Sequence, residues 1–284
     1  MISPKRPNVR GAELMRLLGR HEALSFGALQ VLMVPAISEK RLRDVLSRLI
    51  KRRLVRRRLF NLLGGSAVFF EIAEPFRSSL GIAPVHSSLL IHNESCSLAV
   101  ELLSREFPSA SFVREHAIPR DEVLRTVMKF KKGTYDTLPD VLMILPTETG
   151  TEPIYIAVEI ERSVKSVKRL VKKFSKYAIR TKLDGVIYLS EDDGVLTTLA
   201  GRYQADIVPT GLRVKHYKDH FFLTASCPTK QVFELGNLRN SVNTPVSLKR
   251  WMHLLTTTPM LKRREISFLD SGGVRPDPTP SQFK

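Results

Sequence analysis

Three acidic residues stand at the ends of two strand-like runs near the middle of the chain. Asp140 opens the apolar run DVLMIL, and Glu159 and Glu161 come near the end of the next run, PIYIAVEIE. If the runs pair as a hairpin, Asp140 and Glu159 converge at one end of a sheet, and Glu161 shares the face of Glu159. Carboxylates gathered there need cations, because unpaired charge is costly to bury.

Mg²⁺ is the cofactor that these ligands predict, with Mn²⁺ as the alternative ion. Mg²⁺ prefers oxygen ligands and usually binds one or two carboxylates together with a substrate phosphate. We therefore expect Asp140, Glu159 and Glu161 to act as metal ligands in phosphodiester cleavage, since a bound ion polarises the phosphate and activates water. Two alternatives stay open: Asp140 and Glu159 form a capping or salt-bridged pair in an inactive domain, and Glu161 forms a surface ion pair with a helix lysine.

A basic amphipathic helix follows the second run. Its apolar positions recur with helical spacing and predict a helix over residues 164–179. The apolar positions are Val167, Leu170, Val171, Phe174 and Ala178. The outer face carries Lys165, Lys168, Arg169, Lys172, Lys173 and Lys176.

Three residues of this helix are candidates for the same catalytic site. Lys173 and Lys176 are candidates to contact a phosphate or the charge of its transition state, and a solvated helix face is the alternative. Tyr177 is a candidate nucleophile or a residue that orients water or substrate. A packing role is the simplest interpretation of Tyr177.

The first 80 residues predict a second functional region. Helical spacing predicts helices over 13–18, over 25–33 and from residue 38 onwards, with Ser25 and Ser38 as N-caps. Two strand-like runs on either side of a Gly-Gly pair predict a hairpin. Three helices followed by a hairpin are typical of the winged helix-turn-helix, whose third helix enters the major groove of DNA.

Positive charge is concentrated on the third helix and the hairpin. Between Lys40 and Arg58 ten residues are Lys or Arg, and only Asp44 is acidic. Dense like charges repel one another, whereas DNA phosphates would bind them with release of counterions. We expect contacts with DNA from Lys40, Arg41, Arg43, Arg48, Lys51, Arg52, Arg56, Arg57 and Arg58. Arg41 and Arg43 are best placed to read bases. The alternatives are a solvated face and a protein or lipid partner.

Composition sets the class of the protein. The net charge is +17 over 284 residues, which predicts an anionic partner. No apolar run reaches the roughly 18 residues of a membrane span, and the N-terminus has no apolar signal sequence, so we expect a soluble, cytoplasmic protein without a membrane partner. Cys96 and Cys227 form no CxxC pair, which argues against a zinc site.

Alternating strand and helix signals predict a mixed α/β domain behind the basic region. The expected helices are 86–107, 164–179 and 196–203, and residues 123–130 fit either helix or strand. The expected strands are 111–118, 140–145, 153–161 and 185–189. We expect domains at 1–80 and 85–226, then a C-terminal extension at 227–284 that contains one helix over 247–255 and ends in a disordered tail.

The carboxylates resemble the motif of the PD-(D/E)xK nuclease superfamily. Pro139-Asp140 matches its first element and Glu159-Ile160-Glu161 its second, except that Glu161 stands where the superfamily has lysine. The resemblance implies a restriction-endonuclease-like fold in which Asp140 and Glu159 bind the metal ion. In divergent members a lysine reaches in from the next helix instead.

A narrower resemblance covers roughly residues 10–190. The chain is similar to plasmid replication-relaxation proteins and the related MobC-type mobilisation relaxases, which combine a winged helix with such a nuclease fold. The matching motifs are His92, Phe112-Val113-Arg114-Glu115, Pro139-Asp140, Glu159-Ile160-Glu161 and Lys173-Phe174-Ser175-Lys176-Tyr177. The resemblance adds His92 and Glu115 to the candidate catalytic residues.

This family resemblance implies metal-dependent nicking of DNA at a plasmid or mobile-element origin, with a relaxosome, replication or transposition protein as a further partner. A second function fits the missing motif lysine: a non-catalytic DNA-binding protein that assists or regulates replication or mobilisation. A third is the endonuclease subunit of a transposase, which pairs the same two folds in reverse order.

Overall fold

The structure is a computed structural model that describes residues 9–33, 37–62, 65–82, 89–129, 138–147, 152–178, 180, 182–190, 192–206, 219–226 and 234–240. Contacts divide the chain into two compact units. The N-terminal unit is Met1–Leu102 with Pro228–Phe233, and the C-terminal unit is Leu103–Cys227 with Glu234–Lys284.

Helices and one small sheet form the N-terminal unit. The helices are α1 Val9–His21, α2 Phe26–Leu32, α3 Glu39–Lys51 and α4 Phe76–Ser79, and α5 Leu90–Glu106 begins in this unit. The strands are β1 Ala23–Ser25, β2 Val55–Leu62 and β3 Gly65–Ile72, which pair antiparallel in the order β1-β3-β2. The three predicted helices and the predicted hairpin are confirmed, whereas the three-residue β1 is too short to leave a sequence pattern.

The starts of α2 and α3 follow from their capping residues. The Ser25 hydroxyl accepts a hydrogen bond from the Ala28 N–H at 3.2 Å, and the Ser38 hydroxyl accepts one from the Arg41 N–H at 3.3 Å. Each bond satisfies an N–H that the first helical turn leaves without a partner. The apolar stripe of α3 is buried as predicted, at Leu42, Val45, Leu46 and Leu49.

The contact-based division between the two units falls within α5, after Leu102. The first part of α5 packs with the N-terminal helices, because Leu98 joins their apolar core. The carboxylate of Glu101 also lies 2.9 Å from His21 Nε2 and 2.8 Å from an Arg20 guanidinium nitrogen. These apolar and charged contacts of α5 therefore belong to the N-terminal unit.

A six-stranded mixed sheet forms the centre of the C-terminal unit. Its strands, in chain order, are β4 Ser111–Arg114, β5 Val141–Leu145, β6 Ile154–Ile160, β7 Gly185–Ser190, β8 Asp219–Ser226 and β9 Glu234–Asn240. Its helices are α6 Glu122–Val127, α7 Val167–Ala178 and α8 Asp193–Asp206. The strands follow their chain order across the sheet, and only the pairs β6–β7 and β7–β8 are parallel. The predicted mixed α/β class is confirmed.

Two expectations for this sheet are wrong. The predicted strand 111–118 ends at Arg114, the last residue that pairs with β5, and continues as a 3-10 helix over Glu115–Arg120. The sheet also extends past residue 226 into β9, where ELGNLRN lacks the apolar alternation by which strands are recognised. The described part of the ambiguous segment 123–130 contains most of the helix α6, which ends at Val127.

The helix α7, which follows β6, is held in position by its packing against the sheet. Leu170 and Phe174 are buried in one cluster with Val186 and Tyr188 of β7. The rings of Phe174 and Tyr188 meet edge to face, with centroids 5.7 Å apart. Residues 170 and 174 lie one helical turn apart, so this contact fixes the rotation of α7 about its axis.

Parts of the C-terminal extension lie outside the described residues, including the expected helix over 247–255 and the expected tail. None of the described helices combines the length and the hydropathy that a membrane span requires.

Candidate functional site

Asp140 and Glu159 meet where β5 begins and β6 ends. The two strands pair antiparallel with Val141 opposite Val158, which places Asp140 opposite Glu159 and, by the rule for such pairs, on the same face. Asp140 Oδ2 accepts a hydrogen bond from the Ile160 N–H at 2.7 Å. The negative charge of Asp140 raises the pKa of Glu159. The predicted hairpin is therefore confirmed, and it brings these two carboxylates together.

Lys173 of α7 bridges the two glutamates of β6. Its ammonium donates hydrogen bonds to Glu159 Oε2 at 2.7 Å and to Glu161 Oε1 at 2.6 Å. All three side chains are buried, with Glu159 and Glu161 1% exposed and Lys173 7%. A lysine from the next helix therefore occupies the position between the carboxylates.

Lys165 completes the balance of charge. Its ammonium lies 2.6 Å from Glu161 Oε2 as an ion pair, outside hydrogen-bond geometry. The sequence placed Lys165 on the outer face of a helix over 164–179 and left open an ion pair between Glu161 and an unspecified helix lysine; Lys165 lies before α7, which begins at Val167. Together with Glu159, Lys173 and Tyr177, the pair of Glu161 and Lys165 forms what we call the carboxylate–lysine cluster.

Tyr177 packs inside the same cluster. Its hydroxyl donates a hydrogen bond to Glu159 Oε1, its side chain is fully buried, and the buried Arg180 guanidinium lies 5.0 Å from the ring centroid. Burial and the charge of Glu159 raise the pKa of Tyr177 well above its usual value. A buried, protonated phenol suits a residue that holds Glu159 in place better than it suits a nucleophile.

The ionisation of the cluster follows from burial and from its charge partners. Burial raises the pKa of Glu159 from its usual 4.5 to about 8; Lys173 and Tyr177 oppose the rise. Burial alone would lower the pKa of Lys173, but Glu159 and Glu161 outweigh it and raise that pKa well above its usual range. Lys173 therefore stays charged, while Glu159 takes up a proton more readily than an exposed carboxyl does.

The donor atoms decide which residues could hold a hard cation. Asp140 and Glu159 together fit the one or two carboxylates with which proteins usually bind Mg²⁺ beside substrate oxygens. Both oxygens of Glu161 face ammonium groups, whereas Glu159 faces one ammonium group and the neutral Tyr177 hydroxyl, so Glu161 fits an anchor for lysines better than a ligand. Within the described ranges, no three His, Cys, Asp or Glu side chains are arranged to hold a metal ion, which is compatible with only two protein ligands.

The other predicted catalytic residues lie in different surroundings. His92 is half-buried on α5 in the N-terminal unit, and its Nε2 is 3.6 Å from Cys96 Sγ. Glu115 has an exposed side chain, and its N–H donates to the Asp140 carbonyl at 3.2 Å. Lys176 is half-buried on α7, next to Tyr177. Glu115 thus adjoins the site through its main chain.

A basic surface covers α3 in the N-terminal unit. Its exposed cations are Lys40, Arg41, Arg43, Arg48, Lys51 and Arg52. Arg43 is held in place by Glu39, at 2.6 Å, and by the Phe26 ring, whose centroid lies 4.7 Å from the guanidinium carbon. Arg48 donates to the Asp44 carbonyl at 3.2 Å. These contacts orient the two arginines while leaving them accessible.

The three hairpin arginines divide between the two faces of β2. Arg56 and Arg58 point to one face, where both donate to the fully buried Glu71 at 2.7 and 3.2 Å. The buried Arg77 donates to the other oxygen of Glu71 at 3.0 Å. Side chains alternate along a strand, so Arg57 points to the opposite face. Val55 and Ile72 belong to that face and pack in the helical core. The sequence did not predict this buried cluster, because the pattern around Glu71 is that of an ordinary strand.

Comparisons of the chain with protein-family models, with curated proteins and with solved structures each found no match. The family resemblance of the motifs therefore stays a prediction from the sequence.

Proposed function

We propose that this protein is a metal-dependent DNA endonuclease that nicks one strand at a plasmid or mobile-element origin in the cytoplasm. The observation that carries the proposal is the contact of Lys173 with both Glu159 and Glu161. The nuclease motif lacks its lysine at position 161, and an ammonium group from the next helix stands beside the same carboxylates.

The arrangement of elements supports the two folds that the proposal requires. Helices α1, α2 and α3 followed by the β2–β3 hairpin suit a winged helix, with α3 as the helix that enters the major groove. The β5–β6 hairpin, followed by α7 as the crossover to the parallel strand β7, suits a restriction-endonuclease-like sheet.

Each residue of the site has a separate role in the proposed reaction. Asp140 and Glu159 would hold Mg²⁺ or Mn²⁺, which when bound polarises the phosphodiester and makes water a better nucleophile. Tyr177 and Lys173 fix the orientation of the Glu159 carboxylate through one hydrogen bond to each oxygen. Glu161 holds Lys173 and Lys165, whose positive charges would favour an approaching phosphate.

A plasmid-nicking assay tests this function. Its substrate is a supercoiled plasmid that carries the DNA flanking the protein's own coding sequence. We expect open-circular product with Mg²⁺ or Mn²⁺ and none with a chelator. We expect Asp140→Asn and Glu159→Gln to lower the nicking rate at least about 100-fold, equivalent to ~2.7 kcal/mol, while DNA binding is retained. Glu122→Gln, at an exposed acidic position on α6, is the control. Nicking at the wild-type rate by Asp140→Asn would overturn the proposal.

The charge balance of the cluster favours a second candidate function, a non-catalytic DNA-binding protein of replication or mobilisation. Glu159 and Glu161 face two ammonium groups, from Lys173 and Lys165, so the cluster is stable without a metal ion. DNA binding without nicking, under every divalent ion tested, would support this second function and exclude the first.

The two faces of β2 predict different effects for two neighbouring arginines. Arg57→Ala should weaken binding to duplex DNA and lower the salt dependence by about one unit, as for one lost phosphate contact, with little change in stability. Arg56→Ala should lower the free energy of unfolding by about 1–2 kcal/mol, because it removes a donor from the buried Glu71.

Binding isotherms at several salt concentrations and urea unfolding of both variants check this division. Both variants lose the same charge, so they are controls for one another. Equal losses of DNA affinity would contradict a phosphate contact that the exposed Arg57 makes and Arg56 does not.

A further inference from the structure

The segment around α7 is the second strongly basic part of the chain. From Arg162 to Lys182 nine residues are Lys or Arg and none is acidic. Three of the nine, Lys168, Arg169 and Lys172, are exposed on α7. Within the part of the chain that the structure describes, none of these three forms an ion pair. We call them the α7 basic stripe.

The stripe is electrostatically unfavourable by itself. Lys168 and Lys172 are four residues apart, as are Arg169 and Lys173, and like charges at this spacing destabilise a helix. Lys173 is neutralised by its two glutamates, but the stripe has no such partner among the described residues. An anionic ligand would remove this repulsion.

The stripe borders the carboxylate–lysine cluster on the helix surface. At 3.6 residues per turn, Lys168, Lys172 and Arg169 span an arc of about 100°, and Lys173 lies about 40° beyond Arg169. Lys168 and Lys172 are separated by about 6 Å along the helix axis. A chain of phosphates that follows the stripe would therefore run along the side of α7 next to Lys173.

The buried side of α7 argues against a lipid surface as the ligand. Membrane-bound amphipathic helices insert their apolar face into the lipid, whereas Leu170 and Phe174 of α7 are 1% exposed and packed in the protein core. Apart from Val167, which is 40% exposed, the helix offers an external partner mainly charge, and a phosphate backbone binds chiefly through charge.

We propose that the α7 basic stripe is a second DNA-binding surface, which holds the sugar–phosphate backbone beside the carboxylate–lysine cluster without reading its sequence. This inference rests on the proposed function and deepens it: α3 would select the site, and α7 would lay the strand to be cut along the C-terminal unit. The stripe contributes affinity and salt dependence, not base preference.

Two triple variants of the full chain test the stripe. The first is Lys168→Gln/Arg169→Gln/Lys172→Gln. The control is Arg105→Gln/Arg120→Gln/Arg202→Gln, which removes the same charge from exposed positions on three other elements of the same unit. Fluorescence anisotropy with a labelled duplex, in chelator and between about 0.05 and 0.2 M salt, measures binding apart from cleavage. Circular dichroism melting verifies that both variants fold.

We expect the stripe variant to lower the slope of log affinity against log salt by about two to three units, and the control variant to change it by less than about one. Equal slopes in the two variants, or a wild-type slope in the stripe variant, would overturn the inference. The proposed function would still stand in that case if the wild-type protein nicks DNA. A loss of binding to phosphatidylserine vesicles with unchanged DNA binding would also overturn it. A wild-type protein that binds no DNA would overturn both proposals.

Discussion

Replacement of Lys173 by methionine is expected to lower the free energy of unfolding by about 3–5 kcal/mol, the usual effect of removing one partner from a buried ion pair. The loss follows from geometry: Glu159 and Glu161 are each 1% exposed and share the Lys173 ammonium. Methionine keeps most of the apolar stem, so the missing charge and its hydrogen bonds dominate the effect. Urea unfolding followed by circular dichroism measures it.

The neighbouring residue supplies a matched control for this substitution. Lys172→Met makes the same change at an exposed position of α7 and should alter stability by no more than about 0.5 kcal/mol. Adding Glu161→Gln to Lys173→Met should restore part of the loss, since it removes the buried negative charge of Glu161, which would be left with Lys165 as its ion-pair partner. If Lys173→Met and Lys172→Met unfold at the same urea concentration, Lys173 does not hold the cluster together.

Stability should fall as pH rises from about 4.5 to about 8, through the titration of Glu159. Burial raises the pKa of Glu159 to about 8 in the folded protein, against a usual value of 4.5. Across this window the folded state keeps a proton that the unfolded chain has released, so its stabilising contribution is complete below pH 4.5 and is lost as pH approaches 8. Each pKa unit corresponds to about 1.4 kcal/mol, so the whole window amounts to a few kcal/mol.

The Glu159→Gln variant isolates this contribution, because glutamine keeps the size of the side chain and does not titrate. Urea unfolding of both proteins at closely spaced pH values, in chelator, should give a stability difference that changes steadily across the window. Parallel pH profiles for the two proteins would show that Glu159 is ionised throughout and that Lys173 and Tyr177 fully compensate its burial.

Local patterns predicted the N-terminal elements because the forces that form them act within one helical turn or one hairpin. The stripe from Leu42 to Leu49 and the cap at Ser38 determine α3 without reference to the rest of the chain. Strand ends were less predictable. β4 ends at Arg114, whose pairing partner Val141 lies 27 residues further along the sequence, and a local pattern does not contain the register between such distant segments.

In the candidate site, too, local contacts could be predicted from the sequence and distant ones could not. Paired strand ends indicated that Asp140 and Glu159 would converge, because register follows from the hairpin. The bridging position of Lys173, in contrast, depends on the rotation of α7, which Phe174 sets by packing against Tyr188 of β7. The buried Glu71 with its arginines could not be predicted, since its burial requires the packing of the whole hairpin.

The early end of β4 also bears on solubility. β4 is an outer strand of the six-stranded sheet, and outer strands offer unpaired backbone groups to which a second molecule can add a strand. With four residues, followed at once by a 3-10 helix that contains Pro119, this edge is short and cannot be prolonged by strand pairing. The feature that shortens the predicted strand thus protects a concentrated solution of the protein from edge-to-edge aggregation on this side of the sheet.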